Sequence, residues 1–134
     1  MAEYFVPSGQ EEALAQFHMS QAVRIGNRLE TSGQAGFNSD REYPEALSEE
    51  IANAFDNIER LLTTAGMSWS DVIEIMSYHV PAAENSIGEA HLGPMVEQMR
   101  KRITDHRPIW TCVGVPVLGE PQMRVEIRVT AVAE

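Results

Sequence analysis

The chain has 134 residues, 43% apolar and 22% charged, which is the size and composition of one ordinary globular domain. Ten basic residues against twenty acidic ones give a formal net charge of −10, which opposes binding to a phosphate backbone. No apolar run approaches the roughly 18 residues of a membrane helix, and the start lacks the pattern of a signal peptide. One cysteine and four scattered histidines show no metal-ligand spacing. We therefore expect a cytoplasmic protein without a metal site.

A hairpin and a long helix are predicted first. Residues 23–25 and 28–31 alternate apolar and polar side chains around Gly26-Asn27, a pair that favours a tight turn. A loop at 32–36 and a polar stretch lead to Pro44, where a helix can begin. Apolar residues then recur at spacings of three and four, which predicts about five turns of helix ended by Gly66. These residues are Leu47, Ile51, Ala54, Phe55, Ile58, Leu61, Leu62 and Ala65.

Three further strands and a second helix complete the predicted order. Residues 71–80 are rich in β-branched and aromatic side chains and predict a strand buried on both faces. A helix is expected within 86–103, where Gly93-Pro94 can break it. Strands follow at 109–117 and 123–132, and the second alternates strictly. The order β-β-α-β-α-β-β predicts a two-layer α+β fold, with both helices on one face of a mixed sheet.

The strand at 109–117 carries the only cysteine and one of two tryptophans. Trp110 and Cys112 lie two residues apart, so they point to the same side of an extended strand. We expect that side to be the face without helices, together with the polar side chains of the last strand. That face would carry Arg124, Glu126, Arg128, Trp110 and Cys112. It is too polar for a core, and burial against a symmetric partner is the economical explanation.

Five segments resemble the RidA/YjgF family, in the right order and over nearly the whole chain. They are residues 20–27, 31–34, 54–66, 108–115 and 125–132. The resemblance implies a chorismate-mutase-like α+β fold, a homotrimer and ligand clefts between subunits. It also implies hydrolysis of reactive enamines or imines, which releases ammonia and a keto acid and needs no metal or cofactor. Other members are similar to aminomuconate deaminases or carry an old endoribonuclease label.

The chain departs from the family pattern at its most informative position. Active members hold the substrate carboxylate with an arginine two residues after the proline that opens the strand, and here that position is Trp110. The usual tyrosine is replaced by Met19, the usual acid after the Glu-Ile pair by Arg128, and the expected asparagine falls at about Gly93. The matching positions that remain are Ser32, Gly33, Cys112 and Glu126.

Two interpretations of the changed residues stay open at this point. The Trp110 indole either lines a cleft for a flatter, more apolar ligand or fills a vestigial pocket at the subunit interface, where aromatic residues are enriched. Arg128 either supplies positive charge to that cleft or pairs with Glu126 or another acid. Alternation along the strand already explains the direction of Arg128 without any ligand.

The cysteine and the histidines have ordinary explanations beside the functional ones. A lone cysteine on a strand is more often a small buried apolar residue than a nucleophile, and reactivity requires a depressed pKa. Cys112 has no histidine close in sequence. His106 is interpreted as solvated in a turn, whereas His79 is the better candidate for a cleft residue and is still more often structural.

The leading functional expectation is hydrolytic deamination of an imine or enamine, or a related hydrolysis, on a substrate different from the usual one. The alternative is a catalytically silent ligand-binding or regulatory trimer. Ribonuclease activity ranks third on charge grounds, because the net charge is −10 and the one basic run, at 100–102, is explained by the last turn of a helix. The ligand is expected to be a small organic molecule, with a carboxylate as one option, and neither nucleic acid nor membrane is expected as a partner. Substrate-binding positions are expected at Met19, Ser32, Gly33, Trp110 and Arg128, and catalytic positions at Cys112 and Glu126.

Overall fold

One mixed sheet organises the chain, and a computed structural model describes all residues 1–134. Its strands follow the order β1-β2-β3-β7-β5-β6, and a short β4 also pairs with β7. Only the β5–β6 pair is parallel. The strands are β1 (Ala2–Phe5), β2 (Ala22–Ile25), β3 (Arg28–Thr31), β4 (Gln34–Ala35), β5 (Val72–His79), β6 (Ile109–Gly114) and β7 (Val125–Val132).

Three α-helices accompany the sheet: α1 (Glu11–Gln16), α2 (Leu47–Thr64) and α3 (Glu89–Arg102). The apolar stripe of α2 is confirmed, since Phe55, Ile58 and Leu62 are fully buried against the sheet. Gly66 ends the helix with a φ of 74°, and the Met67 N–H donates to the Leu62 carbonyl. This is the Schellman arrangement that favours glycine. None of the three helices combines the length and the apolar composition that a membrane span requires.

The predicted start of α2 and the predicted break in α3 are both wrong. The first residues after Pro44 are not helical, because the carbonyls of Pro44 and Glu45 accept hydrogen bonds from the Arg124 guanidinium. In α3 the helix continues through Pro94. Pro94 has no N–H to donate to the carbonyl of Ala90. Ala90 is exposed, so water can bond that carbonyl instead.

The predicted hairpin is confirmed, but the first strand and helix are additional. Strands β2 and β3 pair antiparallel around residues 26–27, as expected. Strand β1 pairs with β2 and extends the sheet at that edge. Helix α1 has only six residues, and segments this short give a weak periodic signal. The observed order is therefore β-α-β-β-β-α-β-α-β-β.

Helices α2 and α3 cover one face of the sheet, and the short α1 borders the other face beside β1. Along β7, Val125, Ile127, Val129 and Ala131 are buried beneath the helices, and the alternate residues point to the other face. Strand β5 follows the same alternation, so the expectation that it is buried on both faces is wrong for a single subunit. We call the uncovered side the open face. It exposes large apolar side chains, among them Tyr4, Ile25 and Ile109.

Arg124 does not lie on the open face, contrary to prediction. Its backbone N–H and its Nε both donate to the carboxylate of Glu50, at 2.8 and 2.7 Å. Glu50 lies on α2 with 0% exposure. A buried carboxylate requires such partners, and the ion pair turns the arginine toward the helices just before β7 begins.

Candidate functional site

Trp110 and Cys112 lie on the helix-covered face, so their predicted place on the open face is wrong. In the parallel register, Trp110 pairs with Ile75 and Cys112 with Ser77. Both partners on β5 are fully buried beneath the helices. The alternate residues of β6 point outward instead, and Ile109 is 66% exposed. Trp110 and Cys112 are thus half-buried at the sheet edge that β6 forms.

The hydroxyl of Ser77 is hydrogen-bonded to two side chains, those of Trp110 and His79. The indole Nε1–H of Trp110 donates to Ser77 Oγ at 2.9 Å, and His79 Nε2 lies 2.9 Å from the same oxygen. Cys112 pairs with Ser77 in the strand register, and this neighbour partly offsets the rise that burial gives to the pKa of the thiol. The only polar atom of the indole is therefore already bonded inside the subunit.

A buried histidine pair continues this chain of hydrogen bonds. The Nδ1 atoms of His79 and His91 are 2.9 Å apart, and the rings meet edge to face. If Ser77 donates to His79 Nε2, then His79 Nδ1–H donates to His91 and His91 donates to the carbonyl of Val80. That direction satisfies every ring nitrogen while both rings stay neutral. Burial and the neighbouring His91 lower the pKa of His79 to about 4, and burial lowers the pKa of His91.

The surroundings of Cys112 do not activate its thiol. Burial raises the pKa of Cys112, and Ser77 offsets this only in part. A thiolate is the reactive form, and the features that favour it are nearby positive charge or a helix N-terminus. The neutral hydroxyl of Ser77 supplies neither. This environment suits a protonated, structural thiol.

Gly33 and Glu126 form a close contact on the open face. A Cβ atom on Gly33 would lie 2.6 Å from Glu126 Oε1, so only glycine allows the carboxyl group to pack there. Strand β4 holds this arrangement, since Ala35 pairs with Glu126. Glu126 is half-buried, and burial raises its pKa. No basic side chain pairs with it.

Arg128 lies near this carboxyl group on the same strand face but pairs elsewhere. Its Nη2 is 3.5 Å from Oε1 of Glu30, whose other oxygen binds Arg28 at 2.8 Å. Within one subunit the acid nearest to Arg128 is thus Glu30 rather than Glu126. Both arginines are largely exposed, so these pairs are weak.

Ser32 and Met19 border a groove on the open face. Its volume is about 800 Å³, and apolar side chains line much of it, including Tyr4, Leu14 and Met19. The Ser32 hydroxyl donates to Gln21 Oε1 at 2.6 Å. Helix α1 and β1 form one wall, which the sequence did not predict.

Two glutamines and a tyrosine were missed as site residues. Gln34 Nε2 also donates to Gln21 Oε1, at 2.6 Å, so the pair fixes the loop that carries Gly33. Both glutamines stand in segments that already carried the family resemblance, and this signal could have identified them. Tyr43 is half-buried, and burial raises its pKa to about 12. The nearby carboxylates of Glu120, Glu50 and Glu126 contribute to this rise, and Glu126 contributes least of the three.

His106 is partly exposed, as the sequence suggested, and is also hydrogen-bonded on both ring nitrogens. Its Nε2 lies 2.6 Å from the carbonyl of Val72 and its Nδ1 lies 2.8 Å from Asp105. Two acceptors favour the doubly protonated ring, and the hydrogen bonds to Val72 and Asp105 raise the pKa of His106.

No group of three or more histidine, cysteine or acidic residues is arranged to hold a metal ion.

The predicted site residues thus form two groups on opposite faces of the sheet. Trp110 and Cys112 lie with the helices at the β6 edge, whereas Ser32, Gly33 and Glu126 lie on the open face. A sheet separates the two groups within one subunit. A site that uses both needs a second copy of the chain.

Comparison with known proteins identifies the family of this chain. The profile of the family described as endoribonuclease L-PSP matches residues 10–133. The chain therefore belongs to that family, which is the RidA/YjgF family, and the resemblance in the sequence is confirmed.

Individual relatives give the same result. The RutC family protein YjgH of Escherichia coli strain K12 is 28% identical over 123 residues, which are 90% of this chain and 88% of that protein. A solved structure of protein YjgH has a TM-score of 0.79 at 28% identity and covers 97% of this chain and 95% of that one. Escherichia coli TdcF, solved with bound serine, has a TM-score of 0.75 at 20% identity over 87% and 88% of the two chains. The predicted chorismate-mutase-like α+β fold is confirmed.

We predict that Gly33→Ala destabilises the fold only while Glu126 is present. The added methyl group should displace the half-buried carboxyl group and cost about 1–3 kcal/mol in urea unfolding. In a Glu126→Ala background the same change should cost less than about 0.5 kcal/mol. Gly36→Ala is the matched control. Its Cβ would meet the backbone of Glu50, so its cost should be the same with and without Glu126. An equal cost of Gly33→Ala in both backgrounds would contradict the contact.

We also predict that the buried histidine pair makes the fold acid-sensitive. The pKa of His79 falls from 6.5 to about 4 on folding, so between these values the unfolded chain binds more protons. The free energy of unfolding should therefore decrease as the pH falls from about 6.5 toward 4. One such group contributes at most about 1.4 kcal/mol per pH unit. Urea unfolding at several pH values gives the slope of the unfolding free energy against pH. In His79→Gln that slope should correspond to about one proton fewer taken up on unfolding.

His106 supplies a control of opposite sign. Its pKa is raised by folding, so its stabilisation is present below the unfolded value and is lost as the pH rises. His106→Gln should therefore lose more stability at pH 5 than at pH 8. An unchanged pH slope in His79→Gln would show that His79 is not held neutral.

Proposed function

We propose that this chain is a RidA-like hydrolase that deaminates a reactive imine or enamine at a cleft between subunits. The observation that carries the proposal is the half-buried Glu126, packed against Gly33 at positions that match the family pattern. Hydrolysis of an iminium requires water to add to carbon and the nitrogen to leave as ammonia. Both steps move protons, and a carboxyl group with a raised pKa can accept one and return it.

In this proposal Glu126 is the acid and base. As a carboxylate it takes a proton from the attacking water while the C–O bond forms, which gives a neutral carbinolamine. As a carboxylic acid it returns that proton to nitrogen while the C–N bond breaks. Loss of the hydroxyl proton to water then leaves a carbonyl compound, and ammonia departs as ammonium, so the sum is iminium plus water to carbonyl plus ammonium. Ser32, Gly33 and Met19 border the substrate, and the protonated Cys112 lines the cleft without attacking it.

The assembly in this proposal is a homotrimer whose cleft unites the two groups of residues. The open face exposes large apolar side chains, and such a surface is typically buried in an interface. A neighbouring copy would bring its β6 edge, with Trp110 and Cys112, to the Glu126 of this chain. We further propose that residues 1–134 act as one RidA-like domain and that the protein is cytoplasmic, where a lone thiol such as Cys112 stays reduced.

A second candidate is a catalytically silent trimer that binds a small ligand. One specific observation favours it, since the position of the family arginine holds Trp110, whose indole N–H is bonded to Ser77. Such a protein would keep the cleft and lack the substrate clamp. A measurement of imine hydrolysis separates the two candidate functions.

We predict that the purified protein accelerates imine hydrolysis and that Glu126→Gln abolishes the effect. Imines are generated in the cuvette by flavin oxidases acting on a panel of amino acids and primary amines, and ammonia release is compared with the uncatalysed rate. Loss of an acid and base typically costs about 10²-fold or more. Glu120→Gln is a matched control, since Glu120 is an exposed loop carboxylate. The oligomer is checked by sedimentation.

Two outcomes would contradict the proposal. Absence of acceleration across the whole panel, with a folded trimer, would favour the silent ligand-binding protein. Acceleration that survives in Glu126→Gln would show that another group moves the protons.

A further inference from the structure

We propose that the cleft selects imines and enamines that lack a carboxylate, such as the aldimines of primary amines with an apolar group. This inference rests on the proposed hydrolysis and names the substrate class. It departs from the carboxylate-bearing ligand that the sequence left open. It depends on where the positive charges of the chain are bonded.

The position of the family arginine offers no positive charge and no free donor. Trp110 is half-buried and packs against the core, and its Nε1–H donates to Ser77 Oγ at 2.9 Å. Ser77 is itself fully buried and bonded to His79 at 2.9 Å, which fixes the hydroxyl. A carboxylate placed against this indole would lose water without gaining a partner, and that desolvation is costly.

The arginines nearest to Glu126 in sequence are bonded to acids. Arg124 is held by Glu50, a carboxylate with 0% exposure, and by two backbone carbonyls. Arg128 is 3.5 Å from Glu30, which also binds Arg28. Arg28 and Arg128 on the open face thus share Glu30, and the carboxyl group of Glu126 stands nearby without a basic partner. No net positive charge is left there for a substrate carboxylate.

The charge that does remain in the site favours a cation. Glu126 is half-buried and has no basic partner, so a substrate carboxylate beside it would be repelled and an iminium attracted. The adjacent groove is bordered by Tyr4, Leu14 and Met19, which suit an apolar substituent. The reaction is then an aldiminium plus water giving an aldehyde plus ammonium.

The test uses two imines that share a phenyl ring and differ in the carboxylate. A flavin amine oxidase generates the imine of 2-phenylethylamine, and an L-amino-acid oxidase generates that of phenylalanine. Ammonia release is measured with and without the protein. We expect the amine-derived imine to be accelerated at least tenfold more than the phenylalanine imine. In Trp110→Arg the acceleration of the phenylalanine imine should rise at least tenfold.

The outcomes separate this inference from the proposed function. Equal or greater acceleration of the phenylalanine imine by the wild type would overturn the inference and leave the hydrolase proposal standing. Loss of that acceleration in Arg107→Ala would then identify an exposed, unpaired cation as the clamp. No acceleration of either imine would overturn the hydrolase proposal and this inference with it.

A binding measurement keeps the inference testable if Trp110→Arg does not fold. The wild-type protein is titrated with 2-phenylethylammonium and with 3-phenylpropionate, two unreactive probes of similar size, and binding is followed by NMR shifts. We expect the ammonium probe to bind at least tenfold more tightly, and Glu126→Gln to reduce that preference. Tighter binding of phenylpropionate would overturn the inference.

Discussion

The hydrogen bond from the Trp110 indole to Ser77 determines how the site is built. Ser77 is fully buried, and its hydroxyl also contacts His79, so the oxygen is held from two sides. The hydrogen bond to this oxygen holds the indole toward the helices, and its ring packs against the core. Position 110 therefore stabilises the sheet edge and supplies no charge to a ligand. In the proposed hydrolase the chemistry therefore falls to Glu126 and its neighbours on the other face.

The division of the candidate site between two faces would give the proposed trimer a chemical role. Glu126 and Gly33 lie on the open face, and Trp110 and Cys112 lie behind the sheet at its edge. A trimer would cover apolar residues such as Ile25 and also complete the cleft. In this view assembly and activity depend on the same surface, and a subunit alone has half of a site.

Much of the fold was predictable because local patterns determine it. The stripe of α2, its end at Gly66 and the hairpin around residues 26–27 follow from periodicity and turn chemistry. The side to which Trp110 points was not predictable. Alternation places Trp110 and Cys112 together, but only the pairing with β5 decides which face they share. Arg124 was misplaced for a similar reason, since its partner Glu50 is 74 residues away in sequence.

The inward position of Trp110 is tested most directly by hydrogen exchange of its indole N–H, followed by ¹⁵N–¹H NMR. Trp69 is an internal reference, because its Nε1–H donates to Glu59 at 2.8 Å. We expect the Trp110 indole proton to be protected from exchange in the wild type, and Ser77→Ala to remove this protection without changing Trp69. Rapid exchange at Trp110 in the wild type, or protection unchanged in Ser77→Ala, would contradict the inward position.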